Sequence, residues 1–230
     1  MERLSGPWRA EGEVELFDLT EPLYSGMPVS KREAGVRVDI RTTHEDEGFA
    51  SSAITLGTHC GTHVDAPYHF FADGLTIDQL PLSLCFGPAV VLDVRAAGMR
   101  ITADALVRAA ELAGGFSPGA FALLWTGWDR MVGTPAMYDH PYLTEDAAAY
   151  LVARACLLVA IDAIGVDDSD GGEFPAHALL LRSGIPIVEN LRGLDQLGSG
   201  VFGCAVVPLR IRGGDASPVR VIAWRAVVPL

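Results

Sequence analysis

Apolar residues recur along the chain in short runs that have the length and composition of β-strands. The runs are rich in Val, Ile and Leu, and Gly, Pro or Asp bounds them, as is typical of strands separated by turns. We predict strands at residues 15–19, 36–41, 52–56, 89–94, 121–125, 157–161, 185–188, 201–209 and 219–228.

Three segments between these runs have the signals of helices instead. Residues 102–112 and 144–153 each begin with a threonine that can cap a helix, and two glycines follow the first segment. A shorter helix is predicted over residues 176–182, before Gly184. Strands outnumber helices without a strict βαβ alternation, and the glycine patterns of nucleotide-binding loops are absent. The pattern therefore predicts a mixed α/β or α+β sheet domain.

The length and charge of the chain limit its domain organisation and the kinds of partner that it can bind. With 230 residues, half of them hydrophobic, residues 1–230 are expected to form a single domain with a substantial core. The formal net charge of −12 comes from 17 Lys and Arg against 29 Asp and Glu. This charge repels nucleic-acid phosphates and anionic lipid. We therefore expect no nucleic-acid partner and no membrane partner. The partner that we do expect is a small-molecule substrate.

Cysteine spacing and the N-terminal segment bear on the location of the protein. The four cysteines are widely spaced and form no CxxC pair, so we interpret them as buried, reduced thiols. The first residues lack the continuous apolar segment of a secretory signal, and no stretch of 18 apolar residues is present. We therefore expect a cytoplasmic protein.

The most informative segment contains three of the six histidines of the chain. His59, His63, Asp65 and His69 lie within eleven residues, all at odd-numbered positions, so an extended chain would direct them to one face. Imidazole nitrogens and carboxylate oxygens together bind Zn²⁺, Mn²⁺ or Fe²⁺, and a carboxylate can bridge two ions. The cluster therefore predicts a metal site, in preference to histidines that only form hydrogen bonds within a loop.

This segment must bend if its side chains are to share a site. A straight strand from His59 to His69 would span roughly 33 Å, which is too far. Gly61 and Pro67 are the positions at which the chain bends most easily. The same two residues, with β-branched neighbours, disfavour a helix like that of HExxH metalloproteases. We therefore predict a bent strand followed by a loop.

Two further ligand candidates lie in the last third of the chain. His177 is at the start of the predicted helix 176–182, and Glu189 ends the apolar strand that follows. A helix and a returning strand can bring the two side chains to one point, and a carboxylate at the end of an apolar strand is costly unless it is paired or metal-bound. The alternative for Glu189 is a salt-bridged surface acid.

The acidic run at residues 167–170 lacks the ligand spacing of an EF-hand calcium loop, so we interpret it as a surface loop.

The pattern His-x-Gly-Thr-His-x-Asp-x-Pro-x-His at residues 59–69 resembles the motif of the metal-dependent cyclase / kynurenine formamidase family. The resemblance extends over most of the chain, through residues 18–28, 123–129, 141–151, 161–167, 174–191 and 217–223. It implies a single α/β domain of mixed β/β/α type, with a partly barrel-like sheet and a few flanking helices. It also implies a homodimer or higher homo-oligomer.

The resemblance implies one or two divalent metal ions per chain, with Zn²⁺ as the first expectation and Mn²⁺ as the alternative. The implied ligands are His59, His63, Asp65, His177 and Glu189. The first three would bind one ion and the last two a second, with Asp65 bridging both. His69 would be the general acid/base rather than a ligand.

One segment departs from the family. Kynurenine formamidases usually have an aromatic residue, often Trp, soon after the N-terminal Met-Pro-Val, but residues 27–33 read MPVSKRE here. The aromatic platform for an aryl substrate is therefore missing at this position. The side chains that can replace it are Trp8, Phe70, Phe71, Trp125 and Trp128.

Together, the residues and the resemblance predict a metal-dependent amidohydrolase of the kynurenine formamidase type. The expected reaction is cleavage of an amide C–N bond, in an arylformamide or a cyclic amide, by metal-activated water with His69 as acid/base. Three alternatives stay open. They are an isatin hydrolase-like or lactone-cleaving enzyme, a non-hydrolytic metal-dependent cyclase, and a catalytically silent metal-binding carrier.

Overall fold

The computed structural model describes residues 2–3, 13–169 and 171–227. Within these residues it contains thirteen strands. They are β1 Glu2–Arg3, β2 Glu13–Asp18, β3 Arg37–Thr42, β4 Ser51–Thr55, β5 His63–Asp65, β6 Phe86–Asp93, β7 Arg100–Ile101, β8 Phe121–Trp125, β9 Tyr142–Leu143, β10 Leu158–Ile161, β11 Ile187–Glu189, β12 Gly200–Pro208 and β13 Ala216–Val227. Every predicted strand overlaps one of these, although residue 228 lies outside the described part.

The described residues also contain five helices, α1 His44–Glu47, α2 Ala103–Leu112, α3 Glu145–Ala153, α4 Pro175–Arg182 and α5 Leu194–Leu197. The three predicted helices correspond to α2, α3 and α4. Thr102 caps α2 as predicted, because its Oγ1 accepts a hydrogen bond from the backbone N–H of Ala105 at 3.3 Å. Thr144 occupies the N-cap position of α3, but its hydroxyl donates to the carbonyl of Ile101, so the predicted capping bond is wrong there.

None of the helices in this part of the chain has the length and apolar character that crossing a membrane requires.

The principal sheet closes on itself through seven strands. Their order is β13-β12-β6-β8-β10-β11-β5, and β5 pairs again with β13. The strands β6, β8, β10 and β11 are parallel neighbours, whereas the other pairings of the ring are antiparallel. Strands β2 and β1 extend the sheet outward from β13. The prediction of a mixed, partly barrel-like sheet is confirmed, and the ring is complete.

Apolar side chains cover both faces of the ring. Along β8, Phe121 and Leu123 belong to a core formed mainly by the strands, whereas Ala122 and Leu124 belong to a core beneath α2, α3 and α4. A strand covered on both faces needs apolar residues at consecutive positions, which is why this run was recognisable in the sequence. All four cysteines are free and buried, as predicted.

We predict that Leu106→Ala, in α2, lowers the free energy of unfolding by about 2–5 kcal/mol, because it removes buried methyl groups and leaves a cavity. The Leu106 side chain is fully buried, with 0% exposure. The matched control is Leu112→Ala in the same helix, where the leucine is 79% exposed. The control should change stability by less than about 0.5 kcal/mol in urea unfolding. Equal losses in the two variants would contradict this packing.

Candidate metal centre

The segment that carries the histidine cluster bends at both predicted positions. Gly61 has a φ of +63°, in the left-handed region that favours glycine. The chain then forms β5, and Pro67 begins a single 3₁₀ turn that ends at His69. The bends return His69 to His59, so that the two ring centroids are 4.2 Å apart. The two predicted bends are confirmed, but the strand covers only His63–Asp65, and His59 lies in the turn before it.

The carboxylate of Asp65 is at the centre of the site. Its side chain is 1% exposed, and neither oxygen receives a hydrogen bond from the described residues. His59 Nδ1 lies 2.8 Å from Oδ1, His63 Nε2 lies 3.4 Å from Oδ1, and His177 Nε2 lies 3.6 Å from Oδ2. Burial alone would raise the pKa of Asp65, but the imidazoles of His177 and His59 hold it well below its usual range. A buried anion in this setting fits a cation site.

Glu189 and His177 complete the surroundings of Asp65. His177 is in the first turn of α4, and Glu189 ends β11. His177 Nε2 lies 3.2 Å from Glu189 Oε1, and Glu189 Oε2 lies 3.4 Å from His63 Nε2. Burial would raise the pKa of Glu189, but His177 and His63 lower it to about 2. Glu189 is therefore a buried anion of this cluster and not a surface acid.

The predicted ligands form one cluster, but they are grouped differently from what the resemblance implies. Among the described residues, His59, Asp65 and His69 form one set whose potential ligand atoms lie within 4.8 Å of one another. The second set is His63, Asp65 and Glu189. Asp65 belongs to both sets, which suits a bridging carboxylate. His69 is close enough to be a ligand, so its role as acid/base stays a prediction.

His69 lies at the edge of the cluster. Its side chain is 30% exposed, and its Nδ1 lies 3.8 Å from Asp215 Oδ2. Burial lowers the pKa of His69 from its ordinary value, and charge on the neighbouring imidazoles lowers it further against the pull of the carboxylates. A neutral imidazole that faces a cavity can take up and return a proton.

Asp167 positions His177 and was not recognised in the sequence. Its Oδ2 accepts hydrogen bonds from His177 Nδ1 at 2.7 Å and from the His177 backbone N–H at 2.8 Å. Its Oδ1 accepts from the backbone N–H of Ala176 at 2.8 Å. Asp167 thus satisfies free N–H groups at the start of α4 and leaves His177 Nε2 to face Asp65. Because Asp167 is 3% exposed, the interpretation of residues 167–170 as a surface loop is wrong for it.

Asp215, in the loop before β13, is the second residue that the sequence did not indicate. Its Oδ2 lies 3.1 Å from His59 Nε2, and its Oδ1 accepts a hydrogen bond from Thr58 Oγ1 at 3.1 Å. Burial alone would lower the pKa of His59, but the carboxylates of Asp65 and Asp215 raise it to about 9. His59 and Asp215 are 156 positions apart, so no local pattern could indicate their contact.

These side chains open onto a cavity of about 390 Å³. Of the five aromatic residues considered for the missing platform, Phe70 lines the cavity, and its ring stacks on that of His177 with centroids 5.1 Å apart. Trp8 lies outside the described residues. Phe174 and Tyr138 also line the cavity and were not recognised. The aromatic wall therefore comes from segments other than residues 27–33.

Comparison with known proteins is consistent with this fold and site. Residues 17–168 match the model of a family described as putative cyclase. The kynurenine formamidase of Geobacillus thermodenitrificans is 32% identical over 206 residues, which cover 89% of this chain and 94% of the relative. The isatin hydrolase of Roseibium aggregatum is 30% identical over 244 aligned positions, which cover 92% of each chain.

A solved structure has the same fold. The crystal structure of an isatin hydrolase bound to the product analogue thioisatinate superposes with a TM-score of 0.84 at 28% sequence identity, over 93% of each chain. The family model spans more than half of this chain, and the two relatives span about nine tenths of it. The chain belongs to the putative cyclase family.

Proposed function

We propose that this protein is a metal-dependent hydrolase that cleaves amide C–N bonds in a small-molecule substrate. The observation that carries the proposal is the Asp65 carboxylate, which is buried among imidazoles without a hydrogen bond from the described residues. A buried carboxylate is strongly unfavourable unless positive charge or coordinating groups compensate it. The nitrogen and oxygen donors around Asp65 are those that Zn²⁺ and Mn²⁺ accept in proteins.

The donor set supports one or two ions per chain, with Zn²⁺ as the first candidate and Mn²⁺ as the second. The residues that would hold them are His59, His63, Asp65, His177 and Glu189. A divalent ion held there would supply Lewis-acid activation of water and of the scissile carbonyl. Hydrogen bonds orient the imidazoles from outside the cluster, since His63 Nδ1 lies 2.9 Å from the carbonyl oxygen of Gly61.

His69 is the group that would move protons. Its imidazole lines the cavity beside the donor set, and burial lowers its pKa, which favours the neutral form. It can therefore accept a proton from the attacking water and return it to the leaving nitrogen. A carrier that only binds metal would need His69 as a ligand, whereas an enzyme would need it as a free acid/base beside the ligands. The metal content of a His69 variant therefore separates the two.

The aromatic wall of the cavity favours an amide attached to an aromatic ring. Phe70 and Phe174 pack edge-to-face with centroids 6.0 Å apart, and both line the cavity. The relatives are named for a formamide and for isatin, which is a cyclic amide. We propose an arylformamide or a cyclic aryl amide as the substrate class.

The first test combines elemental analysis with hydrolysis of N-formylkynurenine and isatin. We expect one or two divalent ions per chain, turnover of at least one compound, loss of turnover after chelation, and recovery with Zn²⁺ or Mn²⁺. A protein that binds neither ion when both are supplied would overturn the proposal.

Variants at His69 and Asp65 separate proton transfer from metal binding. We predict that His69→Ala keeps its metal and loses about 10²–10⁴-fold in kcat, because the chemistry loses its acid/base. Asp65→Ala should lose the metal. Elemental analysis and steady-state kinetics check both, with the exposed His44→Ala as the control. Metal loss in His69→Ala would make His69 a ligand, as its distance to His59 and Asp65 permits.

Asp167→Asn tests the positioning of His177. We predict metal affinity about 10- to 100-fold weaker, because the amide holds the imidazole less well and does not raise its basicity. Titration of the apoprotein with Zn²⁺ measures the effect. Asp104→Asn, at an exposed position of α2, is the control and should bind Zn²⁺ like the parent protein. Equal affinity in Asp167→Asn and the parent protein would remove Asp167 from the metal site.

A further inference from the structure

The chain has a single lysine, Lys31, and its side chain lines the cavity of the candidate metal centre. The next residue, Arg32, lines the same cavity. Both belong to the segment between β2 and β3, where the aromatic platform of kynurenine formamidases is missing. In a chain with a net charge of −12, two adjacent cations line a cavity whose other charged residues include Glu33 and the acids of the metal centre.

Aromatic rings hold both cations in place. Lys31 Nζ lies 5.0 Å from the ring centroid of Tyr138, and Arg32 Cζ lies 5.1 Å from that of Phe174. The Tyr138 hydroxyl donates a hydrogen bond to the carbonyl of Val29 at 3.0 Å, which ties this segment to the cavity wall. A cation–π contact positions a cation without neutralising it. The N–H groups of both side chains therefore stay available to a ligand.

Neither cation forms a salt bridge with a carboxylate of the described residues. Elsewhere arginines pair with acids, as Arg95 does with Asp93 at 2.7 Å and Arg225 with Glu15 at 2.6 Å. Among the described residues, no carboxylate oxygen lies within 4.0 Å of Lys31 Nζ or of the Arg32 guanidinium. The positive charge at the cavity is thus left for a molecule that enters it.

Arg32 is linked to the donor set through one aromatic ring. The Arg32 guanidinium lies over the ring of Phe174. The centroid of this ring is 6.1 Å from the centroid of the His177 ring. One aromatic ring therefore separates the guanidinium from a candidate metal ligand. A compact aryl amide can span this separation, with the amide at the metal centre and a charged substituent at Arg32.

We propose that Lys31 and Arg32 bind a carboxylate of the substrate, so that the enzyme selects aryl amides that carry a negative charge. The proposal rests on the proposed function, because bound divalent ions would offset the charge of the deep acids Asp65 and Glu189, which otherwise repel an anion. An arginine fork and an ammonium group are well suited to a carboxylate. Charge-assisted hydrogen bonds of this kind correspond to a preference of about 10- to 100-fold.

A binding measurement tests the recognition without requiring turnover. Calorimetry on the metal-loaded protein compares 2-aminobenzoate with the neutral 2-aminobenzamide. We expect the parent protein to bind the carboxylate at least 10-fold more tightly, and the double variant Lys31→Gln/Arg32→Gln to lose that preference. Lys31→Arg keeps the charge and should keep the preference. Arg108→Gln, which removes an exposed cation of α2, controls for the change in net charge.

Equal preference in the double variant and the parent protein would overturn the recognition role, and so would an equal loss in Arg108→Gln. Kinetics with N-formylanthranilate and formanilide then separate the two proposals. The ratio of kcat/KM for the charged over the neutral formamide should fall at least 10-fold in the double variant. Carboxylate binding through the two cations without turnover of any amide would refute the hydrolase and keep the recognition. Turnover without any charge preference would refute the recognition alone.

Discussion

The buried charge of Asp65 is the constraint on which the site and part of the fold depend. Asp65 ends β5, the three-residue strand whose pairing with β11 and β13 closes the ring. The same backbone bonds that close the ring therefore carry a carboxylate into the protein interior. A charge in that position needs positive or coordinating partners. His59, His63 and His177 provide nitrogens within 3.6 Å of it.

Each of these imidazoles has one nitrogen fixed from outside the cluster. The carbonyl of Gly61 fixes His63, the carboxylate of Asp167 fixes His177, and the carboxylate of Asp215 fixes His59. The other nitrogen of each ring is thereby directed to the Asp65 carboxylate. This preorganisation is what a metal site requires, because a rotating imidazole would lose entropy on binding the ion. It also explains why two acids outside the motif matter to the site.

The acidic ligand candidates of the cavity are buried, whereas its two cations are exposed. Acids and imidazoles surround Asp65, whereas Lys31 and Arg32 rest on aromatic rings of the cavity wall. Phe174 lies between the two regions, in contact with Arg32 on one side and His177 on the other. The ligand that we propose for this arrangement is aromatic, has a hydrolysable group at one end and is anionic at the other. That chemistry follows from the contacts of the wall and differs from a platform built on a tryptophan.

Local sequence patterns were enough to predict the three longer helices, most strands, and the bends at Gly61 and Pro67. These features depend on helix caps, apolar runs and backbone preferences, which act over only a few residues. The sequence also supplied His59, His63 and Asp65 at close spacing within one motif, whereas His177 and Glu189 were suggested by a separate helix and strand. The contact of His59 with Asp215, the pairing of β5 with β13 and the position of Arg32 on Phe174 were decided only by the tertiary structure. Each joins residues more than a hundred positions apart, and long-range packing alone brings them together.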